Sequence, residues 1–283
     1  MRFDKALVLV IATLFGAVRS SPAHPDLIDE ITRVTAQINE QEESAERYQQ
    51  RAELFRRHGQ FEAALMDIAV VERLRTNSPG VVLAKARIFS EAGMAKPALG
   101  TIQKFLQLAP AEAEALLIRA RAEAQLGQAP AAVADYTAAI QLAAAPALDW
   151  FLERARQQAL QGRLAEAVRG LDEAMASAGP QPVLQMPAIE YDRQRGAFES
   201  ALQRVDGFVN RYPVKEPWLT LRAEILEQAG RRAEARQTYE QVIAGIEHYP
   251  AIRRTLELTR QLENRVRQGL ARTQPDVPTT SKT

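Results

Sequence analysis

Apolar side chains recur along most of the chain at the three- and four-residue spacings of amphipathic helices, and this pattern repeats every 34 or 35 residues. A glycine interrupts the pattern once in each copy. The six glycines are Gly59, Gly93, Gly127, Gly162, Gly196 and Gly230. The pattern resumes after each glycine and stops near a proline 17 to 20 residues later. Each copy is therefore predicted to be two helices joined by a glycine turn and closed by proline.

Several positions in each copy keep a fixed distance from its glycine. Seven residues before it, five of the six copies have alanine; the residues are Ala52, Ala86, Ala120, Ala155, Ile189 and Ala223. Five residues after it, all six have alanine: Ala64, Ala98, Ala132, Ala167, Ala201 and Ala235. Small side chains at matching levels of two helices let the helices approach closely. Larger apolar residues nine after the glycine are predicted to form the buried face of the second helix: Ile68, Ile102, Tyr136, Leu171, Val205 and Tyr239.

With these features the chain resembles the tetratricopeptide repeat (TPR) family. That family's pattern has a small residue in the first helix, Gly-x-aromatic-x-x-Ala at the turn, an aromatic residue in the second helix and a closing proline. The aromatic residue two after the glycine is present only as Phe61 and Phe198. The fifth copy has Pro187 and Ile189 in its first helix, which predicts a short or kinked helix. The resemblance implies an all-α, right-handed superhelical solenoid of about six helix-turn-helix repeats.

The resemblance covers about residues 45–250, and helices are predicted on both sides of it. The predicted repeats are 45–78, 79–112, 113–147, 148–181, 182–215 and 216–250. Residues 24–44 form an N-terminal helix whose apolar stripe packs on the first repeat; its members are Leu27, Ile28, Ile31, Val34 and Ile38. Residues 251–271 form an arginine-rich capping helix, because the last apolar face of a repeat array needs a cover. Residues 272–283 are predicted to be a disordered tail.

The first 23 residues have the features of a secretory signal peptide. A short basic start precedes a stretch without charge from Ala6 to Val18, and small residues follow at Ser21 and Ala23. The apolar stretch is shorter than the roughly 20 residues of a membrane-spanning helix. Cleavage after Ala23 is therefore favoured, with a periplasmic or secreted product. The alternative is an uncleaved segment that anchors the protein to the inner membrane.

Composition and charge argue against several functional classes. The chain has no cysteine, which excludes disulfides, thiol catalysis and zinc thiolate sites. Residues 1–23 hold three basic residues and one acidic residue, so their removal changes the formal net charge from +1 to −1. A nearly neutral protein offers no overall charge for binding nucleic acid or an anionic membrane, and no stable membrane insertion is expected after signal removal. The three histidines are far apart, so neither a catalytic nor a metal-binding cluster is predicted, and no cofactor.

The first helix of each repeat lines the concave groove in the TPR family. By that resemblance, the residues six and ten before each glycine face the groove. In the second to fourth copies these positions combine arginine with leucine: Arg87, Arg121 and Arg156 with Leu83, Leu117 and Leu152. Arginine binds carboxylates through two parallel hydrogen bonds, so this row suits an extended peptide with an acidic group and apolar side chains.

A structural interpretation of the arginines has equal weight. Basic residues also recur eight before the glycine, as Arg51, Lys85, Arg119, Arg154 and Arg222. In this interpretation arginine is simply common in these helices, where its aliphatic stem lies along the repeat surface, and it has no role in binding. Trp150 and Trp218, each twelve before a glycine, are either binding anchors or packing residues at the junction between repeats. Junction packing is favoured, because aromatic side chains commonly fill such seams.

The sequence thus predicts a non-catalytic protein-interaction scaffold of the bacterial cell envelope, which binds a partner protein or an extended peptide in its groove. One alternative is an accessory subunit that positions an envelope enzyme or binds an envelope glycan. Glycan binding favours exposed aromatic residues, and the predicted groove has almost none. A third possibility is a structural role, in which the end caps mediate oligomerisation.

Overall fold

The structure is a computed structural model that describes residues 25–40, 44–76 and 78–274, and the regular elements in these ranges are all helices. Their bounds are α1 Pro25–Glu40, α2 Ala45–Arg57, α3 Phe61–Leu74, α4 Pro79–Glu91, α5 Ala95–Leu108, α6 Ala113–Gln125, α7 Ala129–Leu142, α8 Leu148–Leu160, α9 Leu164–Ala178, α10 Pro182–Gln194, α11 Phe198–Arg211, α12 Glu216–Gln228, α13 Arg232–Glu247, α14 Ala251–Arg254 and α15 Glu257–Arg272. The predicted all-α repeat fold is confirmed. The predicted signal peptide and residues 275–283 of the predicted tail lie outside the described residues.

The repeat glycines lie at the turns between paired helices, as the sequence predicts. Gly162, for example, lies between α8 and α9 with φ of 74°, and the six glycines all have φ between 72° and 78°. This left-handed conformation is strained for residues with a Cβ atom, which explains why glycine occupies the turn. The second helices end before the repeat prolines, which stand at Pro79, Pro110, Pro146, Pro180, Pro213 and Pro250.

The chain divides into two compact units, residues 1–128 and 129–283. In the first unit, the main apolar cluster lies where α2, α3 and α4 meet; its buried members are Ala45, Ala52, Ala64, Ile68, Val71, Val81 and Ile88. Helix α1 adds a smaller cluster by packing Leu27 and Val34 against Leu54. Ile28 is 48% exposed, so the stripe on α1 is narrower than the sequence pattern indicates.

In the second unit, the largest cluster lies between α10 and α15. The Trp218 ring at the start of α12 stacks on Phe208 of α11, with 4.3 Å between ring centroids, and lies 5.6 Å from the ring of Tyr212. Trp218 is therefore a packing residue at the junction of two repeats. Trp150 is partly buried against the neighbouring cluster that contains Phe151 and Ile140.

Helix α10, the first helix of the fifth repeat, contains Pro187 but is not shortened. It has 13 residues, as do the other first helices. A proline at this position removes the hydrogen bond to the carbonyl of Val183, which lies in the first turn. The Val183 side chain is 53% exposed at this end of the helix, where water can reach the backbone. The helix is thus not shortened, because the missing bond falls near a solvated helix end, and the kink stays a prediction.

The predicted capping helix is divided into the short α14 and the longer α15. Helix α15 packs on both helices of the sixth repeat, α12 and α13, and so takes the place of the first helix of a further repeat. Its inner face buries Val266 completely, and Leu262 and Leu270 pack partly against the same cluster. The apolar surface of the sixth repeat is therefore covered within the chain.

Candidate functional site

Four of the basic residues that lie eight before a glycine form ion pairs between helices. Arg51 of α2 binds Asp67 of α3 at 2.7 Å, and Lys85 of α4 binds Glu72 of α3 at 2.8 Å. In the second unit the corresponding pairs join Arg154 to Glu173 and Arg222 to Asp206, each at 2.9 Å. These residues therefore hold neighbouring helices together. They differ in role from the residues six before the glycine.

In the first unit, several charged side chains on the first helices of the repeats are paired with one another. Arg87 of α4 forms an ion pair with Glu114 of α6, the first helix of the next repeat. Arg56 of α2 donates to Glu53 at 2.6 Å and to Glu91 of α4 at 2.5 Å. The hydrogen bonds from Arg56 lower the pKa of Glu53. The first helices of this unit are thus linked by a ladder of internal salt bridges.

In the second unit, the first helices of the fifth and sixth repeats and the capping helix are linked in a similar way. Arg193 of α10 donates to Gln228 of α12 at 2.9 Å. Arg265 of α15 pairs with Glu224 of α12, and Arg272 of α15 donates to Glu227 at 2.7 Å. Hydrogen bonding from Arg272 lowers the pKa of Glu227. The capping helix is therefore tied to the first helix of the sixth repeat by two arginine–glutamate pairs.

Arg156 on α8 differs from its counterparts because its side chain is exposed to solvent. Leu152 and Leu160 lie one helical turn before and after it, so the three side chains form one line along the helix. Leu152 is half-buried, whereas Leu160 is 71% exposed. A positive charge between two accessible leucines is the combination expected for binding a short peptide with an acidic group.

Helix α10 contacts α8 and extends this surface. Met186 has the same position in α10 as Leu152 in α8 and is half-buried, and Val183, one turn earlier, is 53% exposed. The pKa of Tyr191 is raised by burial, while the nearby charge of Arg156 acts in the opposite direction. Tyr191 is consequently neutral at physiological pH and does not cancel the charge of Arg156. The surface formed by Leu152, Arg156, Leu160, Val183, Met186 and Tyr191 is called the α8–α10 face below.

The six predicted partner-binding residues therefore differ in accessibility. Leu83 and Leu152 are half-buried, whereas Leu117 is only 6% exposed and offers little surface. Arg87 is engaged by Glu114, and Arg121 is half-buried and is not free of partners. Leu160 is not among the six predicted residues. Its four-residue spacing from Arg156 could have indicated that it lies on the same side of α8. The pairing of Arg87 with Glu114 joins residues 27 positions apart, which no local spacing rule predicts.

Two further properties of the described residues bear on the class of site. In the part of the chain that the structure describes, there is no group of three or more histidine, aspartate or glutamate side chains with the geometry to hold a metal ion. Within the same residues, no helix has both the length and the apolar character needed to cross a bilayer.

Comparison with solved structures identifies the TPR fold. The chain is similar to a tetratricopeptide repeat protein from Parabacteroides merdae, with a TM-score of 0.54 and 15% identity over 93% of this chain and 99% of the other. It is also similar to the C-terminal part of a TPR repeat-containing protein from Cytophaga hutchinsonii, with a TM-score of 0.59 and 15% identity over 80% and 95% of the two chains.

A third similar structure is YrrB, described as a TPR protein with an unusual peptide-binding site. The TM-score is 0.53, and the identity is 12% over 71% of this chain and 97% of YrrB. No family model matches the sequence, and no curated protein matches it. At these identities the similarity establishes the fold alone, which many functions share.

Proposed function

We propose that the protein is a non-catalytic scaffold that binds an extended peptide, or an extended segment of a partner protein, on the groove side of its first helices. The observation that carries this proposal is the exposure of Arg156 between Leu152 and Leu160, whereas Arg87, at the equivalent position of the second repeat, is paired with Glu114. An unneutralised guanidinium with apolar neighbours favours a ligand that carries a carboxylate and apolar side chains. The peptide-binding site described for YrrB supports the same class of ligand.

The spacing on α8 gives the proposed ligand a definite pattern. Leu152, Arg156 and Leu160 follow one another at intervals of four residues, which is about 6 Å along a helix axis. Alternate side chains of an extended peptide lie on one side of it, about 6.6 Å apart. An extended apolar-x-acidic-x-apolar segment lying along α8 therefore matches the three side chains. Met186 and Val183 of α10 flank this line and add apolar contact area.

Among the six residues predicted to bind a partner, Arg156 is proposed to anchor the carboxylate of the ligand. The other residues have secondary roles. Leu152 contributes apolar contact next to the anchor. Leu83 lies in the first unit and provides a further half-buried apolar position. Arg87 and Arg121 are kept as candidate contacts of the first unit alone and are not proposed as anchors, because both already have partners.

The proposed location is the bacterial cell envelope, either as a periplasmic or secreted protein or anchored to the inner membrane. This part of the proposal rests on the predicted signal segment, residues 1–23. Fractionation of the producing cells, followed by N-terminal sequencing of the recovered protein, tests it. A protein that begins near His24 in the envelope fraction supports export with cleavage, and an intact N-terminus in the cytoplasmic fraction contradicts it.

The binding proposal is tested with a fluorescent peptide of the form Leu-x-Asp-x-Leu and the full chain. Reversing the charge of Arg156 (Arg156→Glu) is expected to weaken binding at least about fivefold, because an exposed ion pair is worth up to roughly 1 kcal/mol and reversal adds repulsion. The matched control is Arg169→Glu, which reverses an exposed arginine on α9, a second helix. Equal affinity of the two variants, or no binding by the unmodified protein, contradicts the proposal.

A further inference from the structure

A group of exposed apolar side chains lies at the C-terminal end of the second unit. Ile252 is 78% exposed, Leu256 is 54% exposed and Leu258 is 52% exposed. All five residues from 254 to 258 are exposed, so the neighbouring helices leave this segment largely uncovered. Large apolar residues at this density are costly to leave in water unless they have a partner.

The capping role of α15 does not account for these side chains. Capping is performed by the inner face of α15, where Val266 is fully buried and Gly269 lies against Tyr239. The outer face of the same helix is otherwise polar, as a solvated cap requires. Ile252 and Leu256, however, lie before α15 begins, in and after the short α14, and contribute to no buried cluster of the described residues.

Arginines lie on both sides of the two leucines in the sequence. Arg254 and Arg260 are exposed, and Glu257 is the only acidic residue between positions 250 and 262. The guanidinium of Arg253 lies 3.8 Å from the centre of the Tyr249 ring, so this arginine is held against the protein's own aromatic side chain. The segment is thus locally basic in a chain whose overall charge is close to zero.

We propose that this segment is a membrane-contact tip for a bilayer that contains anionic lipid. The tip consists of Ile252, Arg254, Leu256, Leu258 and Arg260. Its apolar side chains enter the boundary between headgroups and acyl chains, while its arginines bind lipid phosphates. The function is additional to peptide binding and does not depend on the α8–α10 face.

Two features favour a lipid surface over another protein. The tip consists of a short helix, a turn and the first residues of a second helix, so it offers no single regular element along which a partner helix or strand could pair. A bilayer is deformable and needs no matching pocket for each side chain. Three apolar side chains are also too few for a stable dimer interface, which typically buries about 800 Å² on each partner.

The absence of cysteine from the sequence allows a site-specific test on the full chain. An environment-sensitive fluorophore is attached to Leu256→Cys and, as a control, to Leu108→Cys, a residue that is 70% exposed in the first unit. Vesicles of phosphatidylglycerol and phosphatidylethanolamine are then compared with vesicles of phosphatidylcholine. Both labelled proteins retain residues 1–23, so any membrane affinity of that segment is common to them.

The expected result is a blue shift at position 256, but not at 108, on addition of the anionic vesicles alone. Replacing Arg254 and Arg260 together by glutamate in the protein labelled at 256 is expected to raise the vesicle concentration needed for half the shift at least about tenfold. An unchanged spectrum at 256, or an equal response to both vesicle types, overturns the proposal. A shift that appears without vesicles as protein concentration rises also overturns it, because it identifies a second copy as the partner.

Discussion

The aromatic ring of Tyr239 on α13 lies directly against the backbone of Gly269 on α15. A Cβ atom added at Gly269 would overlap the ring, and the ring is fully buried. Tyr239 also donates its hydroxyl hydrogen to Glu227 of α12 at 3.1 Å, and Arg272 of α15 donates to the same carboxylate. Contact between one glycine and one aromatic ring thus fixes how closely the capping helix approaches the sixth repeat.

Replacing Gly269 by alanine is expected to destabilise the protein by about 1–3 kcal/mol, because the new methyl group forces the capping helix and the ring apart. The control is Gly207→Ala in α11, where a Cβ atom meets nothing within 4 Å. That substitution is expected to stabilise the protein by about 0.5–1 kcal/mol, since alanine favours helix over glycine. Urea-induced unfolding measures both changes, and a stabilised Gly269→Ala variant contradicts the proposed contact.

Asp192 forms the most buried charge cluster among the described residues, and its removal is expected to be costly. Its side chain is fully buried and accepts hydrogen bonds from Ser200 at 2.7 Å, from Nε of Arg195 at 2.9 Å and from Nε of Arg204 at 2.9 Å. Replacement by alanine leaves these donors without their acceptor, which is expected to cost about 3–5 kcal/mol.

Asp172 provides the matched control. It also binds Arg204, at 2.7 Å, but its side chain is 46% exposed. Asp172→Ala is expected to cost less than about 1 kcal/mol. Denaturant titration of both variants is the measurement. Similar losses of stability would show that burial of Asp192 does not determine its contribution.

The pKa of Glu227 predicts how the stability of the capping helix depends on pH. Because Arg272 and Tyr239 donate hydrogen bonds to its carboxylate, this pKa is lowered from the ordinary value of 4.5. A carboxyl group whose pKa is lower in the folded state stabilises the protein fully above the unfolded-state pKa. This contribution is lost as pH falls through the folded-state pKa.

The difference in unfolding free energy between the unmodified protein and Glu227→Gln is therefore expected to be largest above pH 4.5 and to shrink below it. Thermal or urea unfolding at a series of pH values measures this difference. A difference that stays constant across the acid range would show that the carboxylate gains nothing from folding.

The pairing of Arg87 with Glu114 predicts that Arg87 acts mainly in stability. Their side chains are 33% and 37% exposed, so solvent screening limits the pair to about 0.2–1 kcal/mol. Arg87→Glu is expected to lose this amount, and the double swap Arg87→Glu with Glu114→Arg is expected to restore most of it. A double-mutant cycle gives the coupling energy, and zero coupling contradicts the pair.

The sequence predicts the repeat fold well because the fold depends on local features. The positive φ of Gly162 and the helix ends before Pro180 follow from residue types that have few backbone alternatives. It predicts less of the candidate site, because the state of each arginine depends on residues far away in the chain. Arg87 and Arg156 have equivalent positions in their repeats, yet Glu114 pairs with one and the other is exposed.

The end of the array was also only partly predictable. The sequence indicates a capping helix over 251–271, but its pattern does not reveal the break between Arg254 and Glu257. Nor could the close contact of Gly269 with Tyr239 be anticipated, since the capping helix does not follow the repeat spacing. These features depend on packing between elements that local residue preference does not specify.

The most direct test of the proposed binding face is a charge exchange between Arg156 and the acidic residue of the ligand. Arg156→Glu should bind the peptide Leu-x-Asp-x-Leu weakly and should regain affinity for Leu-x-Arg-x-Leu, whereas the unmodified protein should prefer the acidic peptide. Fluorescence anisotropy with the two peptides and the two proteins gives all four affinities. The account predicts that the variant prefers the basic peptide, which reverses the preference of the unmodified protein. A variant that still prefers the acidic peptide would contradict it.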